Sequence, residues 1–89
     1  MCPYIPQDNR KKFEEALEYI ANFINFNDIG ELNYFFTKVI DIHIKKVGER
    51  YKNYNDILGV LECVKLELYR KKIAKYEDKK ESENGKVWE

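Results

Sequence analysis

The sequence contains little of several residue types that mark specialised classes of protein. Its 89 residues include two cysteines, one histidine, two prolines and one tryptophan. Sixteen basic residues balance sixteen acidic ones, so there is no net charge to attract nucleic acid or an anionic membrane non-specifically. No apolar run approaches the roughly 20 residues of a membrane-spanning helix. These shortages argue against a disulfide scaffold, a non-specific nucleic-acid binder and a membrane-spanning protein.

The few cysteine and histidine residues also limit the metal chemistry that the chain can support. Cys2 and Cys63 are far apart and show no metal-ligand spacing, so we expect both thiols to be free. His43 is the only histidine, so a zinc site would need carboxylates or a second subunit. We therefore predict no metal and no cofactor. The N-terminus lacks the charged and then apolar order of a signal peptide, which predicts a cytoplasmic protein.

The residues that are present predict a folded, α-helical chain. Apolar residues make up 44% of the sequence and charged residues 36%, which is too much apolar surface for a disordered chain. We expect one α-helical domain over residues 1–89. Residues 1–8 are predicted to form an extended arm, because Pro3 and Pro6 restrict the backbone.

A first helix is predicted over residues 9–26, with Asp8 as its N-cap. Apolar residues recur in it at spacings of three and four, and acidic residues occupy the other side. The apolar set is Phe13, Ala16, Leu17, Ile20, Phe23 and Ile24.

A second helix is predicted over residues 29–47. Asp28 and Glu31 have the spacing of a capping box at its start, and Gly48 supplies a left-handed stop. Its apolar stripe also carries His43, and Ile42 and Ile44 widen the apolar surface beyond one face. The stripe consists of Leu32, Phe35, Phe36, Val39, Ile40 and Val47.

The remaining chain predicts a loop, a long third helix and a tail. No period is visible in residues 49–55, so we expect a loop there and a helix over 55–81. That helix carries two apolar stripes, one with Ile57, Val60, Leu61, Val64 and Leu68, the other with Leu66, Tyr69, Ile73 and Tyr76. In the tail, 82–89, Asn84 and Gly85 predict a stop, and Trp88 is expected to fold back because its large ring favours burial.

The predicted fold class is therefore all-α: a three-helix domain with a long C-terminal helix, assembled as a helical homo-oligomer. One small core cannot cover two stripes on the third helix and the additional isoleucines of the second. A dimer is the assembly we expect.

One pattern raises the question of catalysis. Glu15 and Glu18 share a helix face, which resembles the ExxE half of the magnesium site in all-α nucleoside triphosphate pyrophosphatases. The matching ExxD half is missing from the later helices. Exposed carboxylates three apart are also common in charged helices, so this hydrolase is kept as the alternative function, with Glu15 and Glu18 as its metal ligands.

A second pattern suggests a binding site. Aromatic and cationic side chains are densest around the start of the third helix, where a helix N-terminus would favour an anion. Asp56 in the same region competes for the helix amides and repels an anion. The candidate ligand is a phosphate-bearing small molecule such as a nucleotide, and the candidate residues are Tyr34, Arg50, Tyr51, Tyr54, Asn55 and Arg70. The alternative is that these tyrosines only edge a core.

Three further polar residues lie in or beside apolar stripes. Glu62 and Glu67 on the third helix and His43 on the second are either structural or line a pocket. The sequence leaves both interpretations open.

Several segments resemble a family of short uncharacterised proteins of bacteria and phages. They are Pro3-Tyr4-Ile5, the stretch GELNY at 30–34, the stretch GVLECVKLELYR at 59–70, YEDKK at 76–80 and ENG at 83–85. The resemblance implies no activity, cofactor or site residue. Lys75 departs from the family pattern, which often has proline there, and a lysine lets the third helix continue without a break.

Together these observations predict a non-enzymatic, oligomeric interaction or binding module. Its expected partners are a second copy of itself and either a nucleotide-like small molecule or another protein.

Overall fold

The computed structural model describes residues 2–89, and all the regular structure in that range is helical. We name three helices: α1 over residues 7–23, α2 over Ile29–Val47 and α3 over residues 51–84. The all-α class with three helices is confirmed, and so is the long last helix, which has 34 residues. Within residues 2–89 none of these helices combines the length and the apolar character that a bilayer crossing requires.

Helix α1 begins earlier than the sequence predicted. It consists of α-helical Gln7–Arg10, a 3-10 turn at Lys11–Phe13 and α-helical Glu14–Phe23. The N-cap is Pro6, whose φ of −53° suits a helix start, so the assignment of Asp8 as N-cap is wrong. Asp8 lies within the first turn and pairs with Lys11 at 3.6 Å instead. Part of the predicted arm, Met1, lies outside the described residues.

The end of α1 also differs from the prediction, because the Asn25 side chain takes the place of a helical acceptor there. Ile24 has an extended backbone with φ −72° and ψ 131°, so the helix ends at Phe23 and not near residue 26. The side-chain oxygen of Asn25 accepts a bond from the Asn27 amide at 3.1 Å. Such local bonds offer the backbone an alternative to the helix.

Helix α2 has the bounds that the sequence predicted. The Asp28 carboxylate accepts a bond from the Gly30 amide at 3.0 Å, and Gly48, with φ 99°, ends the helix. The second half of the capping box does not form, because the Glu31 carboxylate accepts a 3.5 Å bond from the Asn25 amide. Glu31 thereby links the end of α1 to the first turn of α2.

Helix α3 is longer at both ends than predicted. It begins at Tyr51, so most of the predicted loop 49–55 is helical, and it ends at Asn84 where Gly85 adopts a φ of 97°. The polar residues that hide the apolar period have local roles. The Asn53 side chain donates to the carbonyl oxygens of Val47 at 3.1 Å and Gly48 at 2.9 Å, which closes the turn between α2 and α3.

Within α3, Tyr69–Ile73 form a π-helical segment. The Ala74 amide donates to the carbonyl of Tyr69, five residues earlier, where an α-helix would use the residue four earlier. The Tyr69 hydroxyl donates to the Glu77 carboxylate at 2.5 Å, although eight residues separate the two. In an uninterrupted α-helix residues seven apart share a face, so this bond reflects one inserted residue.

The chain divides into two compact units, one of residues 3–57 and one of 58–89 together with Cys2. The single domain over 1–89 stays a prediction. Among the described residues no side chain is fully buried. The half-buried apolar residues of the first unit are Ile20, Ile24, Leu32, Phe35, Ile40, Ile44 and Ile57. In the second unit only the small residues Gly59, Cys63 and Ala74, with Glu67, reach that level.

Large apolar side chains remain exposed on all three helices. Phe23 is 70% exposed, Ile29 71% and Leu58 64%, although each belongs to or borders an apolar stripe. The helices are therefore defined by local hydrogen bonds, while the burial that usually stabilises amphipathic helices is incomplete in each unit taken alone.

Replacing Asp28 with alanine is expected to reduce the free energy of unfolding by about 1 kcal/mol, because the N-cap of α2 loses its acceptor. Urea unfolding monitored by circular dichroism at fixed protein concentration measures the change. Asp8→Ala is the matched control, since its exposed ion pair contributes less than about 1 kcal/mol. Equal losses in the two variants would contradict the capping role.

Candidate functional site

Four of the six candidate residues lie together at the start of α3. Arg50 precedes the helix, and Tyr51, Tyr54 and Asn55 occupy its first turns. The Arg50 amide donates to the Gly48 carbonyl at 3.1 Å, and the Tyr54 amide donates to the Arg50 carbonyl at 3.0 Å. The first amides of a helix lack intrahelical acceptors and carry partial positive charge. This end of α3 therefore combines unpaired donors, one guanidinium and exposed aromatic rings.

The acidic residue that was expected to oppose anion binding lies farther from the helix start. Because α3 begins at Tyr51, Asp56 occupies its second turn. The Asp56 carboxylate accepts a bond from the Lys52 ammonium at 3.0 Å, which reduces its repulsion of a second anion. The Lys52 ammonium is held at that carboxylate, whereas the Arg50 guanidinium forms no ion pair with any residue of the described range 2–89.

The other two candidate residues have partners elsewhere. Tyr34 is an exposed residue of α2, and the Lys38 ammonium lies 5.8 Å from its ring centre. Arg70 belongs to the unit of residues 58–89, where its guanidinium contacts both oxygens of Glu67 at 3.0 and 3.2 Å. Arg50, Tyr51, Tyr54 and Asn55 thus lie near one another because they are close in sequence, whereas Tyr34 and Arg70 form local pairs elsewhere.

The residues of the alternative hydrolase are exposed on α1. Glu15 and Glu18 both face solvent, and among residues 2–89 no three histidine, cysteine or acidic side chains lie close enough to hold a metal ion together. The sequence left the roles of three further residues undecided. Of these, His43 is exposed and Glu62 pairs with Lys65 at 3.4 Å. Glu67 is half-buried.

Helix α2 contains an ion pair, between Asp41 and Lys45, that affects the pKa of the Asp41 carboxyl group. The Lys45 ammonium donates to the Asp41 carboxylate at 2.9 Å. This hydrogen bond, opposed by desolvation and aided by the charges of Lys45 and Lys38, lowers the pKa of Asp41 below its ordinary value. The carboxylate therefore stays ionised at neutral pH.

The unit of residues 58–89 contains an open cavity of about 460 Å³ that sequence reasoning did not identify. It lies between the last turns of α3 and the tail, and its lining includes Tyr69, Glu77, Lys80 and Trp88. Trp88 reaches this groove but remains 85% exposed, so the burial that its size favours is not seen. No apolar spacing in the sequence marks this region, because Leu66, Tyr69, Ile73 and Tyr76 keep helical spacings of three and four.

The hydroxyl of Tyr69 is the perturbed group of this cavity. Its hydrogen bond to Glu77, and then the negative charge of that carboxylate, raise the pKa of Tyr69 above its ordinary value. Neutral Tyr69 donates the bond, whereas a tyrosinate would face the Glu77 carboxylate. The contribution of this pair to stability is complete below the ordinary tyrosine pKa and is lost as the pH rises through the raised pKa.

Ultraviolet titration is expected to show this effect directly. Subtracting the curve of Tyr69→Phe from that of the wild type isolates Tyr69, which should ionise at higher pH than an ordinary tyrosine. Glu77→Gln should return Tyr69 toward its ordinary pKa, while Glu83→Gln, which removes only the partner of Lys80, should leave it unchanged. An unshifted Tyr69 in the wild type would rule out the bond.

The comparisons with known proteins identify a family but no activity. The comparison with curated proteins found no match, and neither did the comparison with solved structures. Residues 2–87 match the family model described as Domain of unknown function (DUF6899). An uncharacterised family is thus confirmed, whereas the bacterial or phage origin that the resemblance implied stays a prediction. Because the match covers nearly the whole sequence, the chain belongs to the DUF6899 family of unknown function.

Proposed function

We propose that this protein is a non-enzymatic interaction module that works as a homo-oligomer, most simply a cytoplasmic homodimer. The observation that carries the proposal is the lack of any fully buried side chain among the described residues of a chain with regular apolar stripes. A stripe of this kind is stabilised only when another surface covers it.

The amount of exposed surface supports self-association. Large apolar side chains are exposed in both units: Phe23 is 70% and Ile29 71% exposed in residues 3–57, and Leu58 is 64% and Val64 57% exposed in residues 58–89. Obligate homodimers bury apolar surfaces of this kind, and a second copy is the partner that is always present at the same concentration.

Size-exclusion chromatography with light scattering is expected to give a mass of at least twice 10.7 kDa at micromolar concentration. Because the stripes on all three helices are exposed in the single chain, dissociation should be coupled to loss of helical signal on dilution. A mass of 10.7 kDa with full helicity across micromolar concentrations would contradict the proposal.

We also propose that the module binds a phosphate-bearing small molecule, such as a nucleotide, at the start of α3. The support is local: Arg50 and the first amides of α3 provide positive charge, and Tyr51, which is 81% exposed, offers a ring on which a base can stack. The pairing of Asp56 with Lys52 removes part of the repulsion that an anion would meet.

Calorimetric titration with mono-, di- and cyclic nucleotides is expected to give at least one dissociation constant below about 100 μM, or about 5.5 kcal/mol. Arg50→Ala should weaken this binding about tenfold or more, because a charge-assisted bond to phosphate is lost. Arg10→Ala, an arginine of α1 bound to the Ile5 carbonyl, should leave it unchanged.

The same nucleotides with magnesium also test the alternative, a nucleoside triphosphate pyrophosphatase. We expect no release of pyrophosphate. Turnover that Glu15→Gln abolishes would favour the hydrolase, and the absence of any binding below 100 μM would leave protein partners as the ligands of this module.

A further inference from the structure

The unit of residues 58–89 carries one apolar seam along α3. Leu61, Val64, Leu68, Ile73 and Tyr76 follow each other at spacings of three, four, five and three. The first three have the spacing of a coiled-coil seam. In an uninterrupted α-helix, a step of five would turn Ile73 about 140° away from Leu68. The seam would then end at Leu68.

The π segment brings the apolar residues after it back onto the same face as those before it. The insertion of one residue between Leu68 and Ala74, shown by the bond from the Ala74 amide to the Tyr69 carbonyl, turns the later residues back by about 100°. Ile73 and Tyr76 then fall within an arc of about 80° that also contains Leu61, Val64 and Leu68. The bond from Tyr69 to Glu77 across eight residues has the same origin.

All five side chains of the seam are exposed within the chain, at 38% for Ile73 and 42–61% for the others. The unit contains one helix and a short tail, and one helix cannot cover its own stripe. We infer that the seam of α3 pairs with the same seam of a second copy, antiparallel and centred on Leu68. This inference rests on the self-association proposed above and identifies its interface.

Charge supports both the second copy and the antiparallel direction. Arg70, Lys71, Lys72 and Lys75 follow Leu68, whereas residues 61–67 carry Glu62, Lys65 and Glu67. A parallel pair would place four positive charges level with the same four in the partner. An antiparallel pair centred on Leu68 places them level with a segment of net charge −1, so the surface is complementary to itself.

Disulfide cross-linking of the full chain tests the pairing, in a background with Cys2→Ser and Cys63→Ser. Leu68→Cys should form covalent dimers under mild oxidation, because the two central positions meet. Leu61→Cys alone should not, since in an antiparallel pair its two copies lie about 20 Å apart, beyond disulfide reach. Leu61→Cys combined with Tyr76→Cys should cross-link strongly, because each faces the other.

A matched pair of leucine variants tests the seam without introducing a reactive thiol. Leu68→Ala should raise the dimer dissociation constant about 100-fold, because each dimer loses two leucine side chains. Leu66→Ala is the control: Leu66 is 56% exposed against 53% for Leu68, but it lies about 160° around the helix. Its effect should stay below about threefold.

Failure of this inference can be told apart from failure of the proposed function. A monomeric wild type overturns both. If the wild type is oligomeric, three results would overturn the inference but not the proposed function. They are cross-linking of Leu61→Cys by itself, no cross-linking of any seam variant, and equal weakening of the dimer by Leu66→Ala and Leu68→Ala. Deletion of Lys71 should also weaken the dimer while helicity is kept, and Lys71→Ala should not.

Discussion

An amphipathic helix gains most of its stability when its apolar face leaves water, at about 25 cal/mol for each Å² buried. This requirement governs the whole structure. The helices have well-formed stripes, yet in neither unit does a neighbouring element bury a side chain fully. In residues 58–89 the tail faces only the last turns of α3, and Leu61, Val64 and Leu68 stay 42–57% exposed. Our proposals of self-association and of a paired α3 seam both answer the need to cover these faces.

Local polar interactions define where each helix begins and ends, but they contribute little to stability. Asp28 caps α2, Asn53 closes the following turn, and Gly48 and Gly85 end helices at positive φ. Ion pairs such as Asp41 with Lys45 join residues one turn apart on exposed surface. Such exposed pairs contribute little to stability, because water and salt screen the two charges. In the self-association that we propose, apolar contacts with a second copy supply most of the stabilising energy.

The two proposed surfaces consist of different residues. The anion site uses backbone amides and Arg50 at the start of α3, in the unit of residues 3–57, whereas the seam lies in residues 58–89. A binding site and an assembly surface can therefore coexist in a short chain. Membership of a family of unknown function is consistent with both proposals and favours neither.

The sequence by itself determined the helical class, the bounds of α2 and the stops at Gly48 and Gly85, because periodicity and capping are local properties of the chain. The local nature of these signals also explains why other predictions from the sequence were wrong. The sequence did not reveal the start of α3, because the polar residues Asn53 and Asp56 interrupt the apolar period. Their roles are visible only in the three-dimensional structure, where Asn53 closes the turn and Asp56 pairs with Lys52. The π segment needed the three-dimensional structure, since a spacing of five reads as a lost period until the bond from Ala74 to Tyr69 shows an inserted residue. The grouping of Arg50 with Tyr51 and Tyr54 was visible in sequence, but the pairing of Arg70 with Glu67 depends on side-chain geometry that sequence spacing alone does not specify.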